Sequence, residues 1–61
     1  MVVKYKNQKI ENVRAIGFDI SNELGVCVNL VQEIETPGHP ELNNKIIVLE
    51  GVEMEKLKIS D

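Results

Sequence analysis

Sixty-one residues, 28% of them charged and 43% hydrophobic, describe one small domain with no room for a second. One cysteine excludes an intramolecular disulfide and any zinc-type cysteine spacing. A net charge of −3 disfavours generic nucleic-acid binding, which needs basic side chains to neutralise phosphates.

Met1 to Asn12 reads as a first hairpin. Asn7-Gln8 is placed at its tip, because Asn tolerates positive φ. That centre pairs Lys6 with Lys9, Tyr5 with Ile10, Lys4 with Glu11 and Val3 with Asn12. Tyr5 on Ile10 is a favourable cross-strand pair, and Lys4 on Glu11 an ion pair. After Ile10 the alternation breaks, since strict continuation would put Asn12 and Arg14 on the apolar face. A bulge near Asn12 or Gly17 would repair it and bend one long strand shared by two hairpins.

The strongest strand signal is Gly25 to Ile34. Val26, Val28, Leu30 and Ile34 share one face, with Gln32 the only polar interruption. Ile16-Gly17-Phe18-Asp19-Ile20 alternates equally well, and the turn formers Ser21 to Gly25 lie between the two runs. An antiparallel hairpin then pairs Ile20 with Val26, Phe18 with Val28 and Ile16 with Leu30. A slip by one residue would set Asp19 opposite Val26 and mix the faces, so the register is specified.

Glu35 to Asn44 contains Pro-Gly and His-Pro, which end regular strands. It exceeds the usual loop length of roughly 4–6 residues, and such loops often carry function. A single helical turn over residues 40–44 would suit Pro40 at its first position. Lys45 to Glu50 reads as a strand apolar on both faces, Ile46 and Val48 on one, Ile47 and Leu49 on the other. Glu50-Gly51 is a turn. A short turn at Glu53–Lys56 followed by a strand over Leu57-Lys58-Ile59 accommodates the change of parity in the tail. The sum is an all-β fold: a small antiparallel sheet of five to six strands curled into a partly open barrel of SH3-like size, with one short helical turn near the C-terminus.

Residues that could carry chemistry are few. Cys27 falls opposite Asp19, which disfavours a thiolate, so it reads as a small hydrophobe in a minor packing layer with Ala15 and Val31. His39 is the only histidine, and with Glu41 supplies at most two metal ligands, where a tight site needs three or four. Glu33, Glu35, Glu50, Glu53 and Glu55 read as charged, solvated strand faces. The four glycines are dispersed and form no phosphate loop. Tyr5 and Phe18 are the only aromatics, so stacking platforms for single strands are nearly absent. No catalytic residue, metal ligand or cofactor is assigned.

These readings point to a non-enzymatic interaction module that binds another macromolecule, a protein of unknown identity. On size and charge, an inhibitor-type protein of a phage or other mobile element is one form such a module takes. Thr36, His39, Glu41, Glu53 and Glu55 are its candidate partner-binding residues. The alternative is an assembly subunit that self-associates through the Ile46–Leu49 strand, with Ile47 and Leu49 at the interface. Small folds without staples gain core by oligomerising, so a homo-oligomer is expected. A third reading, nucleic-acid binding by a small barrel through the basic N-terminal hairpin (Lys4, Lys6, Lys9, Arg14), is disfavoured by net charge. The lone cysteine and the lack of a leader predict a reducing, cytoplasmic setting. The longest apolar run, Ile46 to Leu49, is too short to span a membrane.

Overall fold

The computed structural model describes residues 1–34, 37–39 and 43–61. The strands are β1 (Val2–Tyr5), β2 (Gln8–Ile10), β3 (Val13–Ser21), β4 (Gly25–Glu33), β5 (Asn44–Leu49) and β6 (Leu57–Ser60). A 3-10 turn, Met54–Lys56, precedes β6. They form two antiparallel sheets of three strands each, ordered β2-β1-β6 and β3-β4-β5.

The sheets are not curled or closed into a barrel, contrary to the expectation from sequence. A barrel needs a strand that passes from one hairpin into the next. The chain instead leaves the first sheet after Ile10, turns through Asn12 at φ 58°, and begins β3 in the second sheet. The bend falls at the first of the two expected places, and the register shifts between Val13 and Ala15. Gly17 continues the ladder normally, opposite Asn29. A reciprocal backbone pair between Met1 and Val13, 3.0 Å in each direction, ties the two sheets at this corner. Gln32, the polar interruption on an apolar face, donates its side-chain amide to the Glu11 carbonyl at 2.9 Å, satisfying backbone where the chain changes sheets.

The first hairpin turns one residue earlier than expected. Lys6 adopts φ 53°, and Val3 pairs with Ile10, Lys4 with Lys9 and Tyr5 with Gln8. The expected register would have set Asn12 opposite Val3 on the inner face. The observed one puts Ile10 there instead, and both Val3 and Ile10 are buried. The central hairpin has the register expected: Ile16 with Leu30, Phe18 with Val28, Ile20 with Val26. Gly25 enters β4 at φ 72°, a conformation that suits glycine.

The core lies between the inner faces of the two sheets. Val3, Tyr5 and Ile10 meet Val28, Leu30 and Leu49, with Val13 and Val52 closing the ends. Ile16, Val26, Ile47 and Leu57 pack against its margin. Coverage is unequal, because β3 and β4 have 9 residues each and β1 only 4. At about 3.4 Å per residue the long hairpin outruns the first sheet by well over 10 Å. The domain is accordingly extended, 40 × 23 × 17 Å.

Candidate interaction surfaces

The overhang exposes apolar side chains that the sequence pattern assigns to the inner face. Phe18 is 55% exposed and Ile20 80%, although their partners Val28 and Val26 are buried and half-buried. Phe18 and Ile20 both lie on β3, an outer strand of its sheet, whereas Val28 and Val26 lie on the central strand β4. Phe18, Asp19, Ile20, Val26 and Met54 line an open cleft of about 600 Å³ there.

This cleft borders a free sheet edge, since β3 is an outer strand of its sheet. The Val26 carbonyl accepts from Val52 N–H at 2.9 Å, on the β5 side. Ile20 and Val26 are thus a pair without mutual hydrogen bonds, and the alternation of an antiparallel ladder aims the backbone of Ile16, Phe18 and Ile20 outward. Ile20 N–H is met by the carboxylate of Asp19 at 2.9 Å. Among the described residues, no other group meets the backbone of that edge beyond Val13.

The opposite edge differs. On β5, Leu49 is buried in the core and Ile47 packs against it, whereas Ile46 is 70% and Val48 50% exposed. The apolar residues of this strand that are open to contact are therefore Ile46 and Val48, and the proposed interface residues Ile47 and Leu49 face inward.

The other expected site residues are scattered. Thr36 and Glu41 lie outside the described residues, as does most of the suggested turn over residues 40–44. His39 and Glu55 are exposed. Glu53 is clasped by two lysines, Lys56 Nζ at 3.0 Å and Lys6 Nζ at 3.5 Å. The hydrogen bond and charge of Lys56, followed by the charge of Lys6, hold its carboxyl below the ordinary range. Its backbone N–H donates to the Tyr5 hydroxyl at 2.9 Å, which anchors the 3-10 turn to the first sheet. Cys27 is buried opposite Asp19, with Sγ 3.9 Å from the Gly25 carbonyl. No group of three or more metal-ligating side chains occurs among the described residues.

A second surface appears on the outer face of the first sheet. Lys4 lies directly opposite Lys9 on one side and Lys58 on the other, so three lysines form one row across β2, β1 and β6. Lys9 ion-pairs with Glu11 at 3.3 Å. Lys4 and Lys58 have no ion-pair partner among the described residues. The sequence grouped Lys4 and Lys9 but not Lys58, whose place depends on the β1–β6 pairing. Arg14, grouped with them by sequence, belongs to the other sheet and donates to Asn44 Oδ1 at 3.1 Å.

No helix among the described residues is long and apolar enough to cross a membrane. Comparison with protein-family models, with curated proteins and with solved structures gives no match for this chain.

Proposed function

We propose that the protein is a non-enzymatic binding module that takes an extended segment of a partner protein onto the free edge of β3. The observation that carries this reading is the coincidence of an unpaired edge with an apolar cleft at Phe18 and Ile20. An added strand gains affinity from main-chain hydrogen bonds and specificity from pockets for alternate side chains. Both elements occur together here. Asp19 sets the charge of the partner. Its carboxylate occupies the Ile20 N–H, which blunts the edge against indiscriminate pairing. A lysine or arginine on the incoming strand would draw that carboxylate away and release the N–H to the ladder. The segment that fits is extended, with apolar residues alternating with basic ones.

Panning the immobilised protein against displayed random nine-residue peptides tests this. Enriched peptides should alternate apolar and basic residues, slow amide exchange at Phe18 and Ile20, and lose binding to the Ile20→Lys variant. Absence of enrichment, or equal binding to Ile20→Lys, would refute the reading.

The exposed Ile46 and Val48 favour a second reading, self-association through β5. Light scattering at low and high salt separates the two. A stable oligomer dissociated by Ile46→Lys supports assembly, and a monomer at both salts supports the module.

A further inference from the structure

We infer that the lysine row Lys9–Lys4–Lys58 is a binding face for the phosphate backbone of a nucleic-acid duplex. Like charges directly opposite one another on neighbouring strands destabilise a sheet. Here that arrangement occurs twice in one line, Lys9 against Lys4 and Lys4 against Lys58. The inner face forces the register, because Val3 must meet Ile10 and Ile59, and Tyr5 must meet Leu57. It does not force lysine at the outer positions, where any polar residue would serve.

Protection of sheet edges explains part of the row. Lysines on outer strands discourage edge-to-edge pairing, which accounts for Lys9 on β2 and Lys58 on β6. It does not account for Lys4, because β1 is the central strand with a neighbour on each side. An acidic chain has also placed five of its seven basic residues on this sheet and its turns: Lys4, Lys6, Lys9, Lys56 and Lys58. Lys6 and Lys56 are engaged by Glu53. Lys4 and Lys58 are exposed and have no ion-pair partner among the described residues.

Strands lie about 4.8 Å apart, so the row spans about 10 Å, and flexible stems let the ammonium groups follow a line of phosphates. No aromatic residue lies on this face to stack an unpaired base; Tyr5 points inward and Phe18 is on the other sheet. A duplex, which keeps its bases stacked and its phosphates outward, fits better than a single strand. Recognition is then by backbone alone and independent of sequence. The outer side of β1 offers only the half-buried Val2 beside Lys4, with no exposed apolar anchor for a lipid bilayer.

Fluorescence anisotropy of a labelled mixed-sequence 20-base-pair duplex, from 20 to 150 mM salt, is the test. Binding should be present at 20 mM and fall with a log–log salt slope of about −2 to −3, the value for two or three neutralised phosphates. Lys4→Gln and Lys58→Gln should each weaken binding and flatten the slope by about 1. Lys45→Gln, on the other sheet, should change neither. Thermal melting of Lys4→Gln at or above the parent midpoint would show that lost binding is not lost folding. No binding at 20 mM salt overturns the inference. So does equal weakening by Lys45→Gln, and so does tighter binding to phosphatidylserine vesicles than to the duplex.

Discussion

The two sheets share one core but meet solvent in opposite ways. The first is short, buries Val3, Tyr5 and Ile10 on its inner face, and presents lysines outward. The second is long, overruns its cover, and presents Phe18, Ile20, Ile46 and Val48. The contrast shows that an apolar residue's place in the sheet, more than its apolar pattern, decides whether it becomes core. Phe18 and Val28 are directly paired and both apolar, yet Val28 is wholly buried and Phe18 is more than half exposed. What separates them is their place in the sheet: Val28 lies on the central strand, flanked by β3 and β5, and Phe18 on an outer one.

The largest test of that contrast sets Leu30 against Phe18. Leu30 is wholly buried beneath the first sheet. Leu30→Ala should cost about 2–5 kcal/mol, most of the stability of a domain this small. Phe18→Ala removes a larger side chain, and would cost about 3–5 kcal/mol in a core. On the overhang it should cost under about 1 kcal/mol, in line with other surface changes. Urea unfolding of the two variants measures the difference. Comparable losses would mean that the overhang is covered in solution.

Next in size is the anchor that holds the 3-10 turn to the first sheet. Tyr5→Phe keeps the buried ring and removes the acceptor for Glu53 N–H. A loss of about 1 kcal/mol follows, which in a domain of this size lowers the melting temperature by roughly 4–8 °C. No shift would place the 3-10 turn outside the cooperative unit. Lys4→Thr should act in the other direction. Removing the central charge of the row relieves two like-charge pairs at about 0.2–1 kcal/mol each, and the gain should shrink as salt rises.

Much of this was legible in the sequence where local pattern and register agree. Alternation alone places Ile16, Phe18 and Ile20 opposite Leu30, Val28 and Val26, and the structure has that register. The tail resolves as expected into a short turn and a last strand. What alternation does not contain is the partner of each face. It marks Phe18 and Val28 identically, because both belong to the apolar stripe, and says nothing about which strand lies central in its sheet. The lysine row was hidden for the same reason: Lys58 joins Lys4 only through a pairing between the first and last strands, over 50 residues apart in sequence. The barrel expectation failed at one local point. A break in alternation at Asn12 is compatible with a bent shared strand or with a change of sheet, and the positive φ at Asn12 takes the second route.

The smallest expected effect concerns the clasp at the boundary between the charged sheet and the overhang. Glu53 is held ionised by Lys56 and Lys6, so its folded-state carboxyl titrates below the unfolded one. A depressed carboxylate contributes stability that is complete above the unfolded range and is lost as pH falls through the folded range. The contribution should therefore be present at neutral pH and fade below the ordinary glutamate range. All three side chains are about half exposed, so screening keeps it small and salt should diminish it. Glu53→Gln should flatten the acid limb of a stability-versus-pH curve while leaving the Tyr5 hydroxyl bond to the backbone intact. It should also release Lys6 and Lys56 beside the lysine row. An unchanged acid limb would show that the clasp adds nothing to folding. Tighter duplex binding by the same variant would show that Glu53 restrains the charge of the sheet on which it sits.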